Sequence, residues 1–259
     1  MLSFSELGSG PALVLLHAFP LDRTLYRDVV APLAACGWRV ITPDLPGFGD
    51  SEESVGSIED SAVAVALLLN QLGENSAVIG GCSMGGYVAL SFAAQFPDRT
   101  AALVLIDTKA SNDGAQALAQ RERVAQQVLA AGSTAALAVT LPESMYSPTT
   151  LLQRPDLSEW LRDTARRQRP EAVAAAQRAM AARAEQFAAL RALRKPLLCI
   201  RGTDDRTATA ADHAAMAEAV VDAVDVQVPD AGHLLPIERP EAFVELVGEF
   251  LRTVRAPSC

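Results

Sequence analysis

Short apolar runs alternate along the chain with longer segments of helical period. The runs are Ala12 to Leu16, Arg39 to Thr42, Ala77 to Ile79, Leu103 to Ile106, Leu197 to Ile200 and Val224 to Val228. Each reads as nearly all apolar rather than alternating, the pattern of a strand covered on both faces, as in parallel sheets sandwiched between helices. Between Ile58 and Leu72 the apolar residues fall at helical spacing, and Ser57 with Asp60 resembles a capping box at the helix start. Tyr87 to Gln95, Ala208 to Val220 and Glu241 to Val254 are three further predicted helices. Between Lys109 and Lys195 the alternation stops. That stretch is rich in Ala, Arg and Gln, carries Pro142, Pro148, Pro155 and Pro170, and holds no convincing strand. The pattern predicts an α/β protein: a mostly parallel, doubly wound sheet whose core is formed by 1–108 and 196–259, with 109–195 as a helical insertion.

Composition narrows the partners. With 259 residues, 50% apolar and 20% charged, the chain can bury a large core and suits one domain with an insertion. The net charge of -9 repels phosphate backbones and anionic headgroups, which argues against nucleic acid and membrane surfaces as partners. The charge is uneven: 109–195 carries 13 basic and 8 acidic residues, a net of +5, against -14 for the rest. Those arginines are expected chiefly to solubilise an Ala-rich helical surface, with binding of an anionic substrate as the alternative. Cys36, Cys82, Cys199 and Cys259 are scattered without paired short spacing, so neither a disulfide framework nor a zinc ribbon is expected and a reducing cytosol fits best. The first residues have no basic region, and the longest early apolar run, Ala12 to Leu16, is far below the ~18 residues a bilayer span needs. A soluble, unprocessed, cytoplasmic protein is expected.

The chemistry centres on Gly81-Cys82-Ser83-Met84-Gly85, between the run ending at Ile79 and the helix from Tyr87. A serine at such a sharp strand-to-helix turn projects its hydroxyl above the sheet, and glycines flank it because side chains there would clash across the turn. Sixteen serines and sixteen glycines in a chain of this length would give only about 0.06 such matches by chance. A serine nucleophile needs a base and an acid to orient that base. Of three histidines, His213 falls in an Ala-rich helix and is expected at the surface, and His17 closes a strand before a turn, which suits a structural hydrogen bond. His233, in the loop after Val224 to Val228, is the best base. The acid should also follow a strand, and Asp204, Asp205 and Asp107 all do. Neither a dinucleotide or phosphate-binding glycine loop nor histidines at zinc-ligand spacing are present in the sequence, so no cofactor or metal is expected.

These motifs resemble the α/β-hydrolase superfamily over essentially the whole chain. The order serine, acid, histidine is the family's, and its Gly-x-x-Asp turn, here beginning at Gly202, selects Asp205, making the implied triad Ser83, Asp205 and His233. The family's His-Gly-x loop appears as His17-Ala18-Phe19-Pro20, with alanine in place of the usual glycine. By resemblance, the backbone N-H groups of Phe19 and Met84 form the oxyanion hole. The segment from Asp44 to Ser51 resembles the family's turn after its next strand, with a structural role. Too few residues precede His17 for the family's first strand, so seven strands are expected rather than eight. The insertion 109–195 falls where the family places a helical cap over the serine, and Met145, Tyr146 and Trp160 are the candidates to line its pocket. Serine at the elbow disfavours the dehalogenase and epoxide-hydrolase branches. The resemblance implies hydrolysis of a small carboxylic ester or lactone with water, with carbon-carbon hydrolysis of a diketone, acyl transfer, or a ligand-binding module without turnover as alternatives.

Overall fold

The protein is described by a computed structural model over residues 1–52 and 54–254, so Cys259 lies outside the described residues. The strands are β1 (Phe4–Leu7), β2 (Ala12–Leu16), β3 (Arg39–Pro43), β4 (Ala77–Cys82), β5 (Thr100–Ile106), β6 (Leu197–Gly202) and β7 (Ala223–Val228). These seven form one sheet in the order β1-β3-β2-β4-β5-β6-β7, in which β1 pairs antiparallel with β3 and the other pairings are parallel. Six of them match the apolar runs. The remaining strand, β1, has no such signature: Phe4-Ser5-Glu6-Leu7 is largely exposed and is held by its ladder to β3.

Helices α1 (Val30–Ala35), α2 (Ile58–Gln71) and α3 (Met84–Gln95) connect the first strands. The helix α2 opens with the capping box foreseen at Ser57 and Asp60, both halves of which form. After the insertion come α10 (Ala210–Glu218), the one-turn α11 (Leu235–Glu238) and α12 (Pro240–Val254). Alternate strand residues face opposite sides of the sheet. On one side Val14, Leu16, Ile79, Leu103 and Leu105 share an apolar core with α2 and α3, and on the other Leu13, Leu15, Val78, Val104 and Ile106 share one with α1 and α12. Full burial of β2, β4 and β6 follows from this double cover. The strand β7 departs from expectation. Val224-Asp225-Val226-Gln227-Val228 alternates in fact, and as the edge of the sheet it exposes Val224 to 48%.

Between β5 and β6 the described chain is helical: α4 (Ala115–Ala131), α5 (Ala135–Met145), α6 (Pro148–Gln153), α7 (Pro155–Arg167), α8 (Pro170–Ala182) and α9 (Phe187–Ala192). Pro148, Pro155 and Pro170 each open a helix, where the missing N-H costs nothing and the fixed φ suits the first turn. Pro142 instead lies inside α5. The two ends of the insertion are clasped together. Gln186 N-H donates to the Ala110 carbonyl (2.8 Å), and Arg183 donates to the Ser111 carbonyl (2.9 Å) and to the buried Asp113 carboxylate (2.9 Å). Arg121 and Lys109 pair with the same carboxylate, and the Arg183 guanidinium lies 3.9 Å over the Tyr87 ring. At least part of the basic excess of 109–195 is therefore spent on internal ion pairs. Val173, Ala176 and Met180 of α8 pack in one cluster with Phe19, Met84 and Tyr87, which brings the insertion against the C-terminal edge of the sheet.

Candidate active site

The strand order reverses between β2 and β4: β3 follows β2 on one side and β5 follows β4 on the other. Open α/β sheets gather their chemistry outside the carboxyl ends of strands at such a switch point. His17, Ser83, Asp107, Asp205 and His233 all follow strands at that edge.

Ser83 joins β4 to α3 with φ 53° and ψ -113°, one of three non-glycine residues with positive φ among those described, with Asp107 and Asp230. Such backbone is strained in an L-residue and persists only when the surroundings impose it. Here they do. Ser83 N-H donates to the Ile106 carbonyl (2.9 Å), and its own carbonyl accepts from Gly86 N-H (2.9 Å), Tyr87 N-H (3.2 Å) and the Thr108 hydroxyl (2.8 Å). The flanking glycines are steric necessities: a Cβ on Gly81 would stand 2.1 Å from the Gly85 carbonyl oxygen, and one on Gly85 would stand 2.1 Å from that of Leu16.

His233 Nδ1 lies 2.9 Å from Asp205 Oδ1, and the residue is 1% exposed. Asp205 also accepts from Thr207 N-H (2.7 Å) and Ala208 N-H (3.2 Å). Burial alone would raise its carboxyl, but the charge and hydrogen bond of His233 and the two N-H groups outweigh it and hold the group below its ordinary value. Burial likewise pulls the His233 imidazole down. The charge and hydrogen bond of Asp205, then the charges of Asp107 and Glu238, overcome this and raise it above 6.5. With Nδ1 engaged, Nε2 of His233 is buried with no hydrogen-bond partner among the described residues. Among the described residues Nδ1 of His213 is buried and unbonded likewise, so what sets His233 apart is its bond to Asp205 at the sheet edge that holds Ser83.

The other two acid candidates make no hydrogen bond to the His233 ring. Asp107 is fully buried and accepts from Gly202 N-H (2.8 Å) and Leu235 N-H (3.3 Å). Burial, then the charge of Asp205, pushes its carboxyl well above the ordinary value, the opposite of what an anionic partner for imidazolium needs. Asp204 is half-buried in the turn, its N-H donating to the Ala231 carbonyl.

His17 has the structural bonds expected of it: Nδ1 meets the Ala18 carbonyl (3.0 Å) and Nε2 accepts from Leu45 N-H (2.9 Å). The Asp44 to Ser51 segment is tied to the same loop region, with Asp44 accepting from Arg23 N-H (2.8 Å) and Asp50 N-H (2.9 Å), and Ser51 Oγ donating to the Asp44 carbonyl (2.7 Å). Phe48 presents its ring edge-on to His17 (5.6 Å) and Phe19 (6.2 Å). Ala18 takes no positive φ, so this loop does not need the glycine usual at that position. Met84 opens α3, where first-turn N-H groups lack intrahelical partners.

His213 corrects an expectation. It is fully buried rather than at the surface: its Nε2 accepts from Thr108 N-H (3.3 Å), its Nδ1 lies 3.8 Å from Asp225, and burial pulls its value down to about 4. Of the pocket candidates, Tyr146 is buried with its hydroxyl on the Leu157 carbonyl (3.1 Å), and Trp160 packs under the Arg27 guanidinium (4.5 Å). Met145 touches the site through its backbone, its carbonyl accepting from His233 N-H (2.6 Å). Among the described residues no group of three His, Cys, Asp or Glu side chains is placed to hold a metal ion, and no helix is long and apolar enough to cross a membrane.

A family model for the alpha/beta hydrolase fold matches residues 11–240. The chain belongs to this family. Among solved structures, this α/β hydrolase is similar to a thermophilic esterase from Thermogutta terrifontis, with TM-score 0.94 and 38% identity over 98% of this chain and 94% of that one. It is also similar to an enol-lactonase from Burkholderia xenovorans LB400, with TM-score 0.89 and 27% identity over 97% and 96% of the two chains. A 2-hydroxy-6-oxo-6-phenylhexa-2,4-dienoate hydrolase of Burkholderia cepacia is 36% identical over 109 residues, 39% of this chain and 38% of that protein. The hydrolase spans between 20% and 40% of the length of the curated relatives it matches over such short stretches.

Proposed function

We propose that this α/β hydrolase is a serine hydrolase that cleaves a small carboxylic ester or lactone through an acyl-enzyme. The observation that carries the reading is the His233 ring, held at Nδ1 by Asp205 and buried but unbonded at Nε2, at the sheet edge where Ser83 sits in a strained turn. Ser83 Oγ gives its proton to His233 Nε2 as it bonds the acyl carbon. The carbonyl electron pair moves onto oxygen, where the N-H groups of Phe19 and Met84 receive the charge. As the tetrahedral intermediate collapses, the bond to the leaving oxygen breaks and that oxygen takes the proton from Nε2. Water repeats the sequence, releasing the acid and restoring Ser83. Asp205 keeps the proton of the neutral ring on Nδ1 and stabilises the imidazolium. The helices of 109–195 act as a cap that excludes water and shapes the acyl pocket.

The esterase and enol-lactonase likenesses over nearly the whole chain support this substrate class. Cleavage of a carbon-carbon bond is the second reading, favoured by the dienoate hydrolase match, which covers 39% of this chain. Purified wild type and Ser83→Ala, assayed on short aryl esters, lactones and diketones, separate the two. A burst on esters that Ser83→Ala abolishes supports the first reading; turnover of diketones alone supports the second. Turnover of none, with tight binding of a small ligand by both proteins, identifies a binding module.

A further inference from the structure

Glu238, at the end of the one-turn helix α11, is 3% exposed and carries no part of the reaction just described. Its Oε1 accepts from Gly232 N-H (3.0 Å) and Leu234 N-H (3.2 Å), the two backbone groups that flank His233. Its Oε2 accepts from Ser147 N-H (2.9 Å), in the turn between α5 and α6 of the insertion. That turn is fastened to the histidine loop by two more bonds: His233 N-H donates to the Met145 carbonyl (2.6 Å), and the Ser147 hydroxyl donates to the Asp230 carbonyl (2.7 Å). The two segments are in close backbone contact, since a Cβ on Gly232 would stand 2.5 Å from the Met145 carbonyl oxygen. One buried carboxylate thus joins the backbone on both sides of the base to the insertion.

We propose that Glu238 is a positioning residue: by holding the N-H groups of Gly232, Leu234 and Ser147 at once, its carboxylate sets the place of the His233 ring and couples that place to the docking of the insertion. The inference rests on the serine-hydrolase reading only for its kinetic consequence. Three backbone N-H donors call for an acceptor-only group with two oxygens, which an ionised carboxylate supplies and an amide cannot. In Glu238→Gln the NH2 group must face either Ser147 N-H or the Gly232 and Leu234 pair, so one side of the joint opens. The substitution also removes one negative charge near the imidazole. The titratable groups about His233 on the packed elements are Cys82 on β4, Asp107 after β5, Asp205 after β6, His213 on α10 and Glu238 itself. Only the last changes.

The test measures kcat and KM on a short aryl ester, the rate of labelling by a fluorophosphonate, and the titration of the His233 ring by nitrogen NMR, in wild type, Glu238→Gln and Glu238→Asp. A misplacement of the base near 1 Å lowers kcat and labelling by about 100-fold with KM little changed. In Glu238→Gln the ring also titrates at lower pH, taking the acid limb of kcat/KM with it. Glu238→Asp, which keeps the charge but shortens the reach, is expected to lose kcat while leaving the titration near wild type. Either folded variant with wild-type kcat, labelling and titration overturns the proposal. Loss of the fold in both also overturns it, because Glu238 would then be a core residue rather than a support of this loop. A wild type that no fluorophosphonate labels sinks the serine-hydrolase reading instead, and the ring titration in Glu238→Gln still decides whether Glu238 governs His233.

Discussion

Replacing Asp205 with asparagine changes one atom of the site and almost nothing of its shape. In the wild type Oδ1 accepts from both His233 Nδ1-H and Thr207 N-H, while Oδ2 accepts from Ala208 N-H. An asparagine that turns its NH2 toward His233 forces Nδ1 to accept. The ring proton then sits on Nε2, where it cannot take the Ser83 proton. If the amide oxygen faces His233 instead, NH2 opposes Ala208 N-H and the charge that raised the imidazole is lost in either case. The analogous change in a serine protease triad, where the geometry survives and the tautomer does not, costs about 10⁴-fold in kcat. At about 1.36 kcal/mol per decade, that is about 5 kcal/mol of transition-state stabilisation. The fold should survive, because the isosteric amide keeps most of the local bonds. Steady-state kinetics on a short aryl ester, alongside circular dichroism, make the measurement. Asp107→Asn is the comparison: that carboxyl is already pushed toward its neutral form and bonds only backbone N-H groups, so its kcat should fall far less. A kcat within tenfold of wild type for folded Asp205→Asn, or a larger loss for Asp107→Asn, would show that the Asp205 carboxylate does not set the tautomer of His233.

Three other outcomes are expected. The acid limb of kcat/KM should have its midpoint above 6.5, since the proposed mechanism needs His233 neutral and its surroundings raise it; a midpoint at or below 6.5 contradicts this. Gly85→Ala places a methyl group 2.1 Å from the Leu16 carbonyl oxygen and should cost at least about 3 kcal/mol in urea unfolding, whereas Gly114→Ala, with nothing within 4 Å, should change stability by under about 0.5 kcal/mol. Arg183→Met removes one of three cations from the buried Asp113 carboxylate and should cost about 2 kcal/mol at pH 7, less than the ~3–5 of a lone buried pair. Burial raises Asp113, but Arg183 and Arg121 hold it below 3.8. That contribution is therefore complete above the unfolded value and fades as pH falls through the folded one, so the variant and wild type should converge in strong acid.

The elbow at Ser83 was legible because an apolar run, two glycines and a helical period meet within a few residues, and steric necessity keeps those glycines in the sequence. His233 was legible because its loop separates a strand from a helix. The acid was not, since Asp107, Asp204 and Asp205 all follow strands and only the spacing of a resembled turn preferred one of them. Which carboxylate meets the ring depends on how the ends of β5, β6 and β7 stand in space. The burial of His213 was not legible because an Ala-rich helix has no marked polar face, and its polar neighbours in the fold, Thr108 and Asp225, lie 105 residues before it in the chain and 12 after. The edge position of β7 was written in its alternating Val and polar residues. The strand β1 was hidden because backbone pairing, not apolar burial, orders it. Glu238 carried no signal at all, for its partners are backbone groups that the folded chain alone brings together.

In the proposed mechanism Ser83 is made nucleophilic by His233. The most direct measurement is peptide mapping by mass spectrometry after treating the folded protein with a fluorophosphonate at pH 8. A single adduct on the peptide holding Ser83 is expected, formed in wild type and slowed by orders of magnitude in His233→Ala. An unlabelled wild type, an adduct on another residue, or equal labelling in folded His233→Ala would contradict it.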